Sequence, residues 1–173
     1  RKAKLLGARV VFGGPYATVL SRQILKNRGP YSPDYCVDAI VQEDGERAFY
    51  EFALGRRLNG IKNLIYQTKG GIKENPVELL DLNDLPAIDR DLIDIEKYIG
   101  TQKSRALMTC AGKGCWWREK SGGCLFCSSV YRTLRLKSPE LFAKEIIELT
   151  LKYKLDFINI YDEDFLGNLE WFF

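Results

Sequence analysis

The sequence predicts an α/β fold in two parts, and an acidic segment joins them. Short apolar runs alternate with segments whose apolar residues recur at helical spacing, a pattern typical of strands and helices packed in layers. The alternation stops at residue 75 and resumes at residue 104. A chain of 173 residues has the length of one domain or two small ones, which agrees with two modest parts.

The first part, residues 1–75, contains two strand–helix units and a hairpin. Elements are predicted at 8–12 (strand), 16–26 (helix), 37–41 (strand), 45–58 (helix), and 63–67 with 72–74 (a hairpin about Gly70-Gly71). Strands that alternate with helices are typical of a parallel sheet, so we expect a parallel arrangement up to the hairpin.

The acidic segment, residues 76–103, is predicted to be a linker laid across a surface. Between Pro76 and Gly100 it carries seven acidic residues against two basic ones. Its leucines follow neither helical nor alternating order, so no regular element is predicted there.

The second part, residues 104–173, contains a strand, a cysteine-rich loop, a helix and a second strand. The strands are predicted at 105–110 and 156–161, and the second runs into Asp162-Glu163-Asp164. The helix begins at Ser138-Pro139, an N-cap residue followed by proline in the first turn. This order predicts a strand–helix–strand unit whose second strand ends at the acidic triplet.

Amino-acid counts exclude several kinds of chemistry. The chain has no histidine, which excludes an imidazole base, a Ser-His or Cys-His nucleophile and a histidine metal ligand within it. Of its five cysteines, Cys36 stands alone and four lie between residues 110 and 127, which is not the spread of a disulfide scaffold. We therefore expect a reduced, cytoplasmic setting and a metal site. No apolar run approaches the roughly 18 residues of a membrane span, so none is expected.

Charge is distributed in blocks along the chain. Residues 1–33 contain seven basic residues and no acidic ones, and residues 101–137 contain eight basic residues and one acidic. Basic blocks occur on nucleic-acid-binding surfaces, but they also form solvated faces or lie beside anionic cofactors. Because the basic residues are interleaved with strand-like apolar runs, we favour the second interpretation and do not expect nucleic acid as a partner.

Three cysteines lie in the loop that follows the first strand of the second part. Cys124 and Cys127 are separated by two residues, a spacing that lets two sulfurs face one metal centre, and Cys115 precedes them. This arrangement is typical of an iron–sulfur cluster. Cys110 as a fourth ligand would instead give a closed zinc site. We favour the cluster because Cys110 ends an apolar strand, where a small buried thiol is common.

The cysteine-rich loop resembles the signature loop of the radical S-adenosylmethionine (SAM) enzymes. That signature is Cys-x3-Cys-x2-Cys, often preceded by glycine, with an aromatic residue just before the last cysteine. The matching residues are Gly114, Cys115, Cys124, Phe126 and Cys127. The first gap has eight residues instead of three, which resembles the widened gaps with a Cys-Trp-Trp start in some peptide-modifying members.

The resemblance implies a [4Fe–4S] cluster held by Cys115, Cys124 and Cys127. In this family SAM occupies the iron that has no protein ligand, and reductive cleavage yields methionine and a deoxyadenosyl radical. The resemblance also implies an electron donor such as flavodoxin or ferredoxin, and a substrate that is a small molecule or a peptide.

The resemblance further implies contacts to SAM from three side chains. Phe126 is expected beside the adenine, and Glu163 or Asp164 is expected to contact the amino group. Two plainer interpretations stay open, in which Phe126 is a core aromatic residue and the acidic triplet is a solvated strand end.

Two loops of the first part resemble loops of the cobalamin-binding domains found in members of this family. The run Gly13-Gly14-Pro15-Tyr16-Ala17-Thr18 is similar to their Gly-Gly-Pro-His-Ala-Thr, and Glu43-Asp44-Gly45-Glu46 to their Gly-Glu-Gly-Glu. The residues implied to contact cobalamin are Gly13, Gly14, Tyr16, Gly45 and Glu46. The chain departs from the pattern at Tyr16, where the family has histidine, and at Glu43, where it has glycine. A Gly-Gly pair also serves as an ordinary tight turn.

These inferences divide the chain into the C-terminal part of a cobalamin-binding-like Rossmann domain (1–75), the linker (76–103) and the first strand–helix units of an incomplete radical SAM barrel (104–173). Because the chain begins at Arg1 without a signal peptide, we interpret it as an internal piece of a longer protein. The expected function is that of a cobalamin-dependent radical SAM enzyme that methylates an unactivated carbon. Two alternatives stay open: a radical SAM protein that has lost cobalamin, and a zinc-stapled module that binds nucleic acid.

Overall fold

The computed structural model describes residues 1–99 and 104–171, in two compact units, Arg1–Leu79 and Leu80–Phe173. The α/β class predicted from the sequence is confirmed in both units. None of the helices within the described residues is long and apolar enough to cross a bilayer.

The first unit contains a four-stranded sheet with the strand order β1-β2-β3-β4. The strands are β1 (Val11–Phe12), β2 (Ala39–Val41), β3 (Leu64–Thr68) and β4 (Gly71–Glu74). β1 and β2 are parallel, as predicted, and β3 with β4 forms the predicted hairpin. β3 runs antiparallel to β2, however, so the sheet is mixed.

The chain reversal before β3 is fixed by Asn63. Its backbone is left-handed, with φ of 59°, and its carbonyl oxygen accepts a hydrogen bond from the Gln42 amide at 2.9 Å. β3 therefore begins beside the end of β2. The Asn63 side-chain amide donates to the carbonyl oxygens of Asp44 and Glu78, both at 2.8 Å, which keeps this buried side chain satisfied.

Four helices accompany the sheet. They are α1 (Lys2–Leu5), α2 (Pro15–Val19), α3 (Ser21–Arg28) and α4 (Glu46–Ala53). The predicted helix at 16–26 is divided into α2 and α3 because Leu20 leaves helical geometry, with ψ of 17°. The predicted helix at 45–58 ends early, shortly before Gly55, whose φ of 76° turns the chain. A 3-10 turn, Leu58–Gly60, follows.

β2 is the centre of the first core. Ala39 and Val41 pack in one buried cluster with Phe52 of α4, whereas Ile40 packs in another with Leu25 of α3. Because successive side chains of a strand point to opposite faces, β2 is covered on both. This explains why the strand reads as a continuous apolar run.

The second unit is built on two parallel strands joined by a helix. Its elements are α5 (Glu96–Ile99), β5 (Ala106–Thr109), β6 (Gly112–Lys113), α6 (Trp116–Ser121), β7 (Arg135–Leu136), α7 (Pro139–Tyr153) and β8 (Phe157–Ile160). β5 pairs with β8 in parallel, so the predicted strand–helix–strand unit is confirmed. α7 begins at its predicted cap, where the Ser138 hydroxyl accepts a hydrogen bond from the Leu141 amide at 3.1 Å. Its buried side packs against the strands in a cluster of Ile99, Leu107, Leu149, Tyr153 and Leu155.

The predicted linker has more structure than its composition indicates. It contains a 3-10 turn at Arg90–Leu92 and the helix α5, and the side chains of Leu82 and Ile99 are buried. The expectation that it lacks regular elements is therefore wrong, because isolated apolar residues can anchor a segment without any period. Residues 100–103 of the predicted linker lie outside the described residues.

Candidate metal and cofactor site

Cys115, Cys124 and Cys127 lie in a loop that follows β5 and whose two ends pair with each other. We call it the cysteine loop (residues 114–134). Its base is formed by β6 and β7, which pair antiparallel with Gly112 opposite Leu136. A Cβ atom on Gly112 would lie 2.5 Å from the Arg135 carbonyl oxygen, and one on Gly114 would lie 2.1 Å from that of Thr133. Gly114 also has φ of 90°. Glycine at these positions lets the two sides of the loop approach at its base.

Helix α6 occupies most of the widened gap between Cys115 and Cys124. The eight residues of the gap are the six of α6 followed by Gly122 and Gly123. These two glycines have φ of 86° and 98°, so they end the helix and reverse the chain. The prediction that this stretch is loop throughout is therefore wrong. The glycine pair was the available helix-stop signal, but a helix of six residues has too little apolar periodicity to be recognised.

Cys124 and Cys127 lie on one tight turn after this reversal. The Cys127 amide donates to the Cys124 carbonyl oxygen at 3.0 Å. Between them Leu125 and Phe126 are fully exposed, with Phe126 at 91%. The interpretation of Phe126 as a core aromatic residue is therefore wrong.

Three successive carboxylates after β8 contact the cysteine loop and its base. Asp162 accepts hydrogen bonds from the amides of Ala111 at 3.1 Å and Gly112 at 2.9 Å. Glu163 accepts one from the Ser129 hydroxyl at 2.5 Å. The interpretation of the triplet as a purely solvated strand end is thus wrong.

Asp164 contacts the start of α6. Its carboxylate accepts a hydrogen bond from the Trp116 amide at 3.0 Å and lies 3.6 Å from the Cys115 sulfur, which donates to it. Parallel pairing of β5 and β8 brings the two strand ends together, and this is how the acidic triplet reaches the loop. The sequence predicted both strand ends but not these anchoring contacts.

All five cysteines are free thiols. Cys115 is half-buried, whereas Cys124 and Cys127 are exposed, so their chemistry fits iron or zinc ligation. Within residues 1–99 and 104–171 no three side chains of Cys, Asp or Glu are gathered to hold a metal ion, so the ligands are available without being assembled.

Cys110 lies in a different setting from the other thiols of this region. Burial raises the pKa of its thiol, more than nearby Lys137 lowers it. This setting stabilises the protonated thiol over the thiolate that binds metals. The position therefore favours a packing role for Cys110.

The two glycine loops of the first unit meet at the end of β2. A Cβ atom on Gly13 would lie 3.7 Å from the Val41 carbonyl oxygen, and one on Gly45 would lie 3.5 Å from Val41 Cγ1. Gly13, Gly14 and Tyr16 are exposed, with Tyr16 at 73%. The structure thus brings both predicted loops together at the carboxyl ends of β1 and β2, where α/β sheets commonly bind ligands.

The second glycine loop contains a strained residue. Glu43 stands where the resemblance expects glycine, and its φ of 54° is in the left-handed region that favours glycine. The backbone at Glu43 therefore has the conformation that glycine favours, although the residue is glutamate. Glu46, also predicted to contact cobalamin, is exposed at the start of α4.

Comparisons with known proteins support the fold. No family model and no curated protein matches the sequence. Among solved structures, the cobalamin-dependent S-adenosylmethionine radical enzyme OxsB, with aqua-cobalamin and S-adenosylmethionine bound, matches over 91% of this chain with a TM-score of 0.70 and 20% identity. The same enzyme with aqua-cobalamin bound matches over 96% with a TM-score of 0.73 and 18% identity.

A second enzyme gives a similar match. The radical S-adenosylmethionine methyltransferase TsrM from Kitasatospora setae, with tryptophan substrate and a SAM analog bound, matches over 97% of this chain with a TM-score of 0.66 and 17% identity. The chain spans only 21% to 32% of the length of these proteins. The resemblance predicted from the sequence is confirmed at the level of the fold: the chain has the fold of a portion of cobalamin-dependent radical SAM enzymes.

Proposed function

We propose that the chain is part of a radical SAM enzyme and binds a [4Fe–4S] cluster through Cys115, Cys124 and Cys127. One observation carries the proposal: the loop that bears these thiols leaves the carboxyl end of β5 and is tied to the acidic end of the parallel strand β8. When bound, the cluster supplies the electron that cleaves SAM reductively.

The residues of the chain have distinct roles in this proposal. Cys115 offers its thiol from the start of α6, and Cys124 and Cys127 offer theirs from one turn. Phe126 presents an exposed ring to the adenine of SAM. Glu163 and Asp164 offer carboxylates to its amino group from the end of β8.

For the first unit we propose cobalamin as the ligand of the two glycine loops. Support comes from their meeting around Val41 and from the exposed, side-chain-free backbone of Gly13 and Gly14. Tyr16 offers an exposed ring to the corrin. Methyl transfer to carbon is then the reaction we propose for the longer protein, with flavodoxin or ferredoxin as the electron donor.

Anaerobic reconstitution of the chain with ferrous iron and sulfide tests the cluster. We expect about four iron and four sulfide per chain, with visible thiolate-to-iron absorbance. Replacing Cys115, Cys124 or Cys127 by alanine removes a ligand and should abolish assembly. Cys36→Ala and Cys110→Ala are the matched controls and should retain it.

Two outcomes would contradict the assignment. Loss of the chromophore in Cys110→Ala would show that Cys110 is a ligand. Tight zinc binding without any iron chromophore would favour the zinc-stapled module.

A further inference from the structure

We propose that Arg118 positions the cysteine loop and raises the reduction potential of the cluster held there. This role rests on the proposed function, because it concerns the same three cysteines. Arg118 lies in α6, inside the widened gap that separates Cys115 from Cys124.

Arg118 contacts each part of the chain reversal. Its carbonyl oxygen accepts a hydrogen bond from the Gly122 amide at 3.1 Å. Its side chain lies against Gly123, where a Cβ atom would be 3.1 Å from Arg118 Cγ and 3.3 Å from Nη1. Nη1 donates to the Cys127 carbonyl oxygen at 3.4 Å. One residue thus connects the helix that follows Cys115 with the turn that bears the other two thiols.

One N–H group of the Arg118 guanidinium has no acceptor within the described residues. The Nε atom of Arg118 is buried and has no hydrogen-bond partner within the described residues. A buried charged donor without an acceptor is costly, so an acceptor brought by a ligand would relieve that cost. Iron–sulfur clusters offer sulfur acceptors and respond to nearby hydrogen bonds and charge.

The neighbouring cation in α6 is differently placed. Lys120 is 59% exposed at its side chain and pairs with Glu119 at 3.5 Å. Arg118, by contrast, has no carboxylate partner within the described residues and is half-buried. The two residues therefore form a matched pair, in which Arg118 donates to the Cys127 carbonyl oxygen and Lys120 pairs with Glu119.

The sign of the effect follows from charge. Reduction adds one negative charge to the cluster, and a fixed positive charge stabilises the reduced form more than the oxidised form. Removing the Arg118 charge should lower the midpoint potential. Restoring the charge with lysine should recover most of the shift, even though lysine cannot reproduce the fork of the guanidinium.

The experiment compares the chain with R118Q, R118K and K120Q after reconstitution with iron and sulfide. Iron content, electron paramagnetic resonance spectra and midpoint potential are measured. We expect R118Q to hold less iron and to show a lower potential and an altered spectrum, R118K to recover the potential, and K120Q to match the unaltered chain.

The outcomes separate this role from the proposed function. An R118Q cluster with unchanged iron content, spectrum and potential would overturn the role of Arg118 while the proposed function stands. If R118Q assembles no cluster, R118K decides: assembly supports the role and failure overturns it. If the unaltered chain holds no iron and sulfide, both proposals fail.

Discussion

At the end of β8, three carboxylates anchor the cysteine loop, whereas at the end of β2 the two glycine loops bring Gly13 and Gly45 against Val41. In the second unit the charged anchors lie at the candidate site itself. In the first unit a charged network lies at the start of β2, where Asp38 binds Lys4, Tyr35 and the Val10 amide.

The ligands proposed above give a physical reason for this difference. Thiol ligands must be delivered by side chains on a loop, and such a loop needs anchors. A flat, bulky cofactor needs backbone without side chains, and the sheet already fixes that backbone. The four predictions below test this contrast, in order of decreasing effect on stability.

The largest effect is expected at Gly114. Gly114→Ala places a Cβ atom 2.1 Å from the Thr133 carbonyl oxygen and strains a backbone with φ of 90°. We expect the second unit to lose about 3 kcal/mol of stability. All three tryptophans lie in that unit, so urea unfolding followed by tryptophan fluorescence reports on it alone. Gly122→Ala, with φ of 86° but open space around it, should cost about 1 kcal/mol; equal losses would refute the steric argument.

Asp162 is the next strongest anchor. Asp162→Ala removes the acceptor of two amides, those of the buried residues Ala111 and Gly112. We expect a loss of about 2 kcal/mol in the same fluorescence experiment. Glu163→Ala is the control, because among the described residues its carboxylate accepts from the Ser129 hydroxyl alone, at the surface, and it should cost under about 0.5 kcal/mol. A neutral Asp162→Ala would mean that the loop base does not need the carboxylate.

Asp38 provides a pH-dependent contribution in the first unit. Burial opposes its ionisation, but hydrogen bonds from Lys4, Tyr35 and the Val10 amide outweigh burial and lower the pKa of the carboxyl below its ordinary 3.8. Its contribution is therefore present above pH 4 and is lost as pH falls through the lowered pKa. Asp38→Asn should cost about 1 kcal/mol at neutral pH and less in acid.

Hydrogen exchange at the Val10 and β2 amides, measured at neutral pH and in acid, checks the Asp38 prediction. Lys73→Gln, an exposed change in the same unit, should show no such pH-dependent difference. A cost for Asp38→Asn that persists unchanged in strong acid would contradict the assignment to ionised Asp38.

Gly13 should show the smallest effect on stability and a large effect on ligand binding. A side chain there meets only Val41 at 3.7 Å and needs no left-handed backbone, unlike Gly14, whose φ is 87°. Gly13→Val should change stability by under about 0.5 kcal/mol but weaken the binding of hydroxocobalamin at least about tenfold, measured by absorbance titration. Gly60→Val, where a Cβ atom would have no neighbour within 4 Å, is the control. Unchanged affinity would mean that the Gly-Gly turn has only a structural role.

The sequence predicted elements whose signals are local. The α7 cap at Ser138 and the parallel strand–helix–strand unit followed from residue type and period, because capping and amphipathicity act over one or two turns. The three thiols and the acidic triplet also followed from residue type. These signals identify candidate ligands.

Contacts between residues far apart in the chain could not be predicted from the sequence. Asn63 fixes the direction of β3 through a left-handed backbone and five hydrogen bonds that no sequence pattern encodes. The pairing of β6 with β7 involves only two residues from each strand, too few for any period to be visible. The anchoring of the loop by Asp162 and Asp164 depends on strands that are brought together by the fold.

Because helix α6 lies between Cys115 and Cys124, the number of residues between these two cysteines overstates the distance that the chain spans there. Eight extended residues reach about 27 Å, whereas a six-residue helix rises about 9 Å before the two glycines turn the chain back. Residues can thus be added between the first two thiols with little added span, provided they are added as helix and followed by a reversal. A search that counts positions would overlook such a loop, but one that allows a capped helix between the first two cysteines would find it.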